Sequence, residues 1–156
     1  MLYVLGIVSM FALFALWVII LITGKRSKGL YDFLVGINYW STRVMVYTSH
    51  MTDKYPPFSL QQLPEYGVRI NCEYVEEANR LTAFFRWILV IPHWFIVWIL
   101  SYVFSLVAFI HIIIVLFTGK PNQEMFNFLA GVIRWTTRET FYSELLTDDY
   151  PPFSLE

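Results

Sequence analysis

Two long stretches of the chain are apolar almost without interruption, and they set the frame for everything between them. Residues 1–23 contain no Asp, Glu, Lys, Arg or His. A membrane-crossing helix needs about 20 predominantly apolar residues. A signal peptide would instead show a basic start, a shorter apolar core and a small-residue cleavage site. The first stretch therefore predicts a retained span. Residues 87–119 contain no Asp, Glu, Lys or Arg. As one helix they would run about 50 Å, too long for an untilted crossing. Pro92 lies near their start, and proline kinks or begins a helix. The pattern predicts a lead-in helix over residues 76–91, with Arg80 and Arg86 snorkelling toward headgroups, and a second span over residues 92–117. Residues 52–79 are polar. Within them Val68, Ile70, Cys72 and Tyr74 alternate with Arg69, Asn71 and Glu73, the period of a short strand.

The pattern also repeats. Residues 23–60 align with 118–155 at a constant offset of 95, without a gap. TGK recurs at Thr23-Gly24-Lys25 and Thr118-Gly119-Lys120. TDKYPPFSL (52–60) recurs as TDDYPPFSL (147–155). Between them Phe33, Gly36, Trp40, Arg43 and Tyr47 recur as Phe128, Gly131, Trp135, Arg138 and Tyr142. These five fall on one face of a helix, at heptad spacing. Off that face the copies differ: Asn38/Ile133, Val44/Glu139, Ser49/Glu144. Gly36 and Gly131, with Phe33 and Phe128 on the same stripe, are the expected helix-packing positions, since glycine permits close backbone approach. They should face a span or the other repeat. Each unit thus reads as a span, a TGK turn, a second amphipathic helix and a YPPFSL tail. The second helix carries too many charges to be a clear span, so it is either embedded or interfacial.

These residues and their order resemble a bacterial family of integral membrane proteins of unknown function. Its members carry FFR-x-IL-x-IPH, an apolar span, TG, a helix like FDF-x-x-G-x-x-RW-x-x-R, and LTD-x-YPPFSL. The second copy matches over residues 84–155 and the first over 22–60, with Tyr39 standing where the family has its first Arg. The resemblance implies a membrane protein with paired repeats and supplies no activity.

Composition agrees with this frame and narrows the chemistry. Hydrophobic residues make up 57% and charged residues 15%, with net charge −1. A nucleic-acid binder would need a basic excess. The single Cys72 excludes an internal disulfide. Lys25, Arg26 and Lys28 follow the first span, which places that turn in the cytoplasm. His93 and His111 lie 18 residues apart on one helix, about 27 Å if it is continuous. The first span offers no facing histidine, so they do not read as a haem pair. Asp53 and Asp148 read as turn residues after a helix end, with Lys25 and Lys120 as conceivable partners. YPPFSL reads as an extended, polyproline-like cap.

The expected fold class is an all-α integral membrane protein of two tandem repeats, each a transmembrane helix plus a second embedded or interfacial amphipathic helix, joined by a short strand-containing linker. The expected divisions are a first repeat (1–60), a linker (61–79) and a second repeat (80–156). Arg43, Arg138, Trp40, Trp135, Tyr47 and Tyr142 are the candidates for a ligand or lipid headgroup, as arginine anchors between aromatic rings. No catalytic motif, metal cluster or cofactor site is expected. Membrane lipids, other membrane subunits or a homo-oligomer are the expected partners, in the inner membrane of a bacterium. The expected role is an accessory or scaffolding subunit, with lipid binding or transport through Arg43 and Arg138 as the alternative.

Overall fold

The computed structural model describes residues 2–63, 66 and 69–155, with side chains from Val4 onward. Among them are four helices: α1 (Leu2–Thr23), α2 (Lys28–Thr48), α3 (Arg80–Thr118) and α4 (Gln123–Ser143). The boundaries repeat with the sequence: α1 and α3 end 95 residues apart, and α2 and α4 begin and end 95 apart.

The TGK motif is a helix stop. Gly24 and Gly119 take the left-handed conformation, φ 72° and 67°, which costs glycine little. Each amide closes the last turn, Gly24 N–H to the Ile20 carbonyl and Gly119 N–H to that of Val115, both 2.8 Å. The threonine hydroxyls of Thr23 and Thr118 bond back to Ile19 and Ile114 carbonyls and accept the N–H of Lys25 and Lys120. The next helix then starts from a fresh cap: Asn122 accepts from Met125 N–H at 3.0 Å, with Glu124 in the favourable first turn of α4.

The main helix contacts close a ring: α1 packs on α2 and α3, and α4 packs on α3 and α2. Ala12, Leu16 and Ile20 of α1 meet Tyr31, Leu34 and Val35 of α2, Ala83 of α3, and Phe141, Leu145 and Leu146 at the end of α4. The outer faces of the two most apolar helices stay uncovered. Phe11, Phe14 and Ile22 on α1, and Trp87, Phe95, Phe109 and Phe117 on α3, are exposed. Both helices are long and apolar enough to cross a membrane, with mean hydropathy 2.8 and 2.7; α2 and α4 are not among the candidates.

Two sequence expectations change. The lead-in segment and the second span form one 39-residue helix, with Pro92 inside it. It begins at Arg80 rather than 76, where the Asn79 side chain accepts from Leu81 and Thr82 N–H. The apolar run simply continues through the proline. The linker strand is also absent among the described residues, and Val68 lies outside them. Ile70, Cys72 and Tyr74 are half-buried while Arg69, Asn71 and Glu73 are exposed, so the alternation is real. Its partner, however, is a helix. Tyr39 and Tyr31 of α2 donate their hydroxyls to the carbonyls of Ile70 (3.4 Å) and Cys72 (3.2 Å). Among the described residues sheet pairing shrinks to one isolated antiparallel bridge, Lys25 with Glu77.

Candidate functional site

The repeated stripe and the repeated tail are two halves of one device. In the first repeat a β-carbon added to Gly36 would sit 2.8 Å from both the carbonyl oxygen and Cβ of Leu60. In the second, one added to Gly131 would lie 2.7 Å from the Leu155 carbonyl oxygen. Glycine is there because the tail's last leucine lies directly on the helix backbone. The stripe's other members receive the rest of the tail. Trp40 meets Phe58 edge-on at 5.2 Å, and Trp135 meets Phe153 at 5.9 Å. Tyr47 meets Tyr55 at 5.7 Å, and Tyr142 meets Tyr150 at 5.4 Å. Arg43 donates to the Ser59 carbonyl and, at 2.8 Å, to that of Gln61. Arg138 donates to the Ser154 carbonyl. Pro56 and Pro151, within the tails, are buried. The expected packing of Gly36 and Gly131 against a span or the other repeat is thus replaced by packing against each repeat's own tail. Phe33 and Phe128 are half-buried, Phe33 against the core.

This layout gathers Trp40, Arg43 and Tyr47 in the first repeat, and Trp135, Arg138 and Tyr142 in the second, against that repeat's own tail. It directs the two guanidinium groups onto backbone carbonyls, which an extended segment without ladder partners leaves free to accept.

A second centre was missed by sequence reasoning. Arg26 and Arg86 are buried, each 3% exposed, and converge on Asp148. Arg26 Nη2 lies 2.7 Å from Oδ2 and Arg86 Nη2 2.6 Å from Oδ1. Arg26 also donates to the carbonyls of Leu145 (2.7 Å), Val75 (3.0 Å) and Glu77 (2.6 Å). Arg86 donates to those of Tyr142 (2.5 Å) and Thr147 (2.7 Å) and lies over the Tyr142 ring at 4.2 Å. Arg86 therefore does not snorkel, and the partners of Asp148 are arginines rather than a turn lysine; Lys25 pairs with Glu76. Burial would raise the Asp148 carboxyl, but the Asn79 N–H and the two guanidinium groups outweigh it and hold it below the ordinary carboxylate range. The repetition of Asp53 as Asp148 was a usable signal. The arginines gave none, one lying in a basic run and the other at the head of an apolar one.

His93, fully buried, completes the second repeat. Its ring stacks on Phe153 at 4.1 Å and 5°, meets Tyr150 edge-on at 4.9 Å, and accepts the Trp135 indole N–H on Nδ1 at 3.2 Å. His111 is also fully buried, and neither of its nitrogens has a hydrogen-bond partner among the described residues. No three His, Cys, Asp or Glu side chains among the described residues gather as a metal site.

The off-stripe differences are explained by partners that one copy has and the other lacks. Asn38 donates to Glu144 at 2.6 Å across the α2–α4 contact; these two positions are Ile133 and Ser49 in the opposite copies. Glu139 accepts the Trp94 indole N–H at 3.0 Å, where the first copy has Val44. Burial pushes the Glu144 carboxyl up to about 7, against the pull of the Asn38 amide.

A family model described as "Domain of unknown function (DUF4389)" matches residues 1–59 and 80–154. Its two segments fall on the two repeats. No curated protein and no solved structure matches the chain.

Proposed function

We propose a function for a chain that belongs to the DUF4389 family of domains of unknown function: it is a multi-pass protein of the bacterial inner membrane, crossing it with α1 and α3, and serves as a non-enzymatic accessory or scaffolding subunit of a larger membrane assembly. One observation carries the reading. The buried arginines Arg26, Arg43 and Arg86 are committed to holding the chain's own backbone, while the outward faces of α1 and α3 are broad, apolar and uncovered. Rigid polar ties inside and apolar surface outside suit a body that other helices pack upon. A groove of about 500 Å³ between α1 and α3, lined by Met10, Phe14, Trp17, Trp87, Val90 and Trp94, adds to that surface.

Purification in mild detergent tests it. A defined protein subunit in fixed stoichiometry supports the scaffold; a chain that purifies alone, with or without a specific lipid, counts against it. The orientation is tested separately. A single cysteine at Ser27, in a Cys72→Ser background, should react only with reagent on the cytoplasmic side, and reaction from outside alone overturns the placement of the Lys25–Lys28 turn.

A second reading, contact with anionic headgroups, has its own support. A cleft of about 790 Å³ between α2 and α4 is lined by Arg69, Arg134 and Arg138 together with Phe126, Ile133 and Phe141, the mixed lining that a phosphate on an acyl chain would require. Stoichiometric co-purification of an anionic lipid, lost in Arg134→Ala, is its test.

A further inference from the structure

The groove between α1 and α3 has a length, a width and a charged mouth that together describe its occupant. Its walls are Met10, Phe14 and Trp17 from α1 and Trp87, Val90 and Trp94 from α3. At the end nearest the first TGK turn it is bounded by Ala83 and by the Trp17 indole, which donates to the Ala83 carbonyl at 3.2 Å. From Ala83 to Trp94 the helix rises about 16 Å, close to one leaflet of a hydrocarbon core about 30 Å thick. A volume of about 500 Å³ over that length gives a cross-section of about 30 Å², less than half that of a helix about 10 Å across. The groove fits a hydrocarbon chain and is too narrow to seat a helix.

Most cations at the mouth are already engaged. Lys25 pairs with Glu76, Lys28 with Asp32, and Arg26 and Arg86 share Asp148. Arg80, the first residue of α3, differs. It is exposed, and its guanidinium has no hydrogen bond or ion pair with a described residue. It lies across the end of α1, since a β-carbon added to Gly24 would sit 2.9 Å from its Nε. Ala83, Trp87, Val90 and Trp94 follow it at steps of three and four, so Arg80 heads the face of α3 that lines the groove. It stands one turn, about 5 Å, above Ala83. Glu73 and Glu77 on the preceding segment are exposed and repel a headgroup of high negative charge, which makes a single phosphodiester the better match.

We propose that this is a phospholipid site: one acyl chain lies in the groove between α1 and α3, and the lipid's phosphodiester accepts hydrogen bonds from the Arg80 guanidinium. The planar fork of arginine gives two parallel bonds to phosphate oxygens, and basic groups at the end of a membrane helix are placed for such headgroups. The proposal rests on the reading that α1 and α3 cross the membrane and is independent of a scaffold role.

Native mass spectrometry of the full chain, delipidated in detergent and titrated with phosphatidylglycerol, tests it. One lipid retained per chain is expected. Arg80→Gln should weaken retention about tenfold or more, as loss of a charge-assisted bond implies. Phe14→Ala combined with Trp87→Ala, which strips two exposed walls, should weaken it as well. All three positions are exposed, so these variants should melt with the wild type. Lys120→Gln, an exposed cation at the far end of α3, should bind as the wild type does. Diacylglycerol with the same chains should bind at least tenfold more weakly, and glycerol phosphate, which has no chain, should not compete. No stoichiometric lipid, or retention indifferent to Arg80 or to the groove walls, overturns the site. So does an equal loss in Lys120→Gln, which would mark general surface attraction. Release of the chain from membranes by alkaline carbonate overturns the crossing of α1 and α3 and this site with it. A chain that stays in the membrane while Arg80→Gln holds lipid as tightly as the wild type overturns this site alone.

Discussion

The two tails have nearly the same sequence and the same grip on their helices, yet the aspartate of one is enclosed and that of the other is exposed. In the second repeat Asp148 is enclosed by Arg26 and Arg86 and Tyr142 is sealed beneath a guanidinium. In the first, Asp53 and Tyr55 face outward. Identical local sequence has produced identical local structure, and the difference comes from what the rest of the chain brings up against it. The clamp of glycine, tryptophan, arginine and tyrosine on YPPFSL is a property of the repeat. The buried ion cluster is a property of the fold.

The sharpest way to break this comparison is to cut the cluster in one repeat and its counterpart in the other. Removing one partner of a buried ion pair leaves an uncompensated charge and costs about 3–5 kcal/mol. Asp148→Ala, which strands both buried guanidinium groups, should therefore destabilise the protein by that order in detergent melts, and Arg86→Ala by less, since Arg26 remains on Asp148. Asp53→Ala, at an exposed position, should shift stability by no more than about 0.5 kcal/mol. Equal losses at Asp53 and Asp148 would show that the first tail is enclosed as well.

The clamp itself should respond alike in both copies. Gly36→Leu and Gly131→Leu force a side chain into the backbone of Leu60 and Leu155, and overpacking of this kind costs about 1–3 kcal/mol. Chemical or thermal denaturation of the two variants should give similar losses. If only Gly131→Leu destabilises, the first tail is not held on its helix. Asn38→Leu belongs with these rather than with neutral surface changes, because it strands Glu144 at the α2–α4 contact.

Acid and base then separate the two carboxylates. Glu144 titrates near 7 when folded, above its ordinary range. The folded state thus holds more protons than the unfolded one between about pH 4.5 and 7, and Glu144's contribution to stability declines as pH rises through that window and levels off above it. Asp148, held low, contributes stability that is present above the unfolded carboxylate pKa of about 3.9 and is lost as pH falls through its folded value. Glu144→Gln should flatten the neutral limb of the stability profile and leave the acid limb in place. A neutral limb unchanged by Glu144→Gln would remove Glu144 as its source.

Much of this fold was written in the one-dimensional pattern, and the limits are physical. The TGK stops, the second helices and the heptad stripe follow from local rules, since capping and face periodicity involve residues a few positions apart. That the stripe's partner would be its own tail did not follow. Gly36 announces a close neighbour and says nothing of which one, although the joint recurrence of stripe and tail at the same offset was a signal that they belong together. The alternation at residues 69–74 correctly marked an extended chain with two unlike faces; period two carries no information on whether the inner face meets a strand or, as here, Tyr31 and Tyr39 of a helix. Arg26 and Arg86 were illegible because burial of a charge depends on a carboxylate more than 60 residues away in the chain.

The smallest effect concerns the two most apolar helices, where the repeats again occupy equivalent positions with different chemistry. Leu16 on α1 and His111 on α3 are 95 residues apart and both fully buried. Leu16 joins the apolar core. His111 brings two nitrogens to its site and finds no hydrogen-bond partner for either among the described residues. A buried polar group without a partner costs free energy that an apolar side chain of similar size does not. His111→Leu, which copies the first repeat's solution into the second, should raise stability by about 1 kcal/mol, read as a higher denaturation midpoint with unchanged cooperativity. The reverse exchange, Leu16→His, should lower it by at least as much, because it adds the same unpaired nitrogens to the packed contact with α2. A loss of stability in His111→Leu would show that the imidazole is held by a group outside the described residues of this chain.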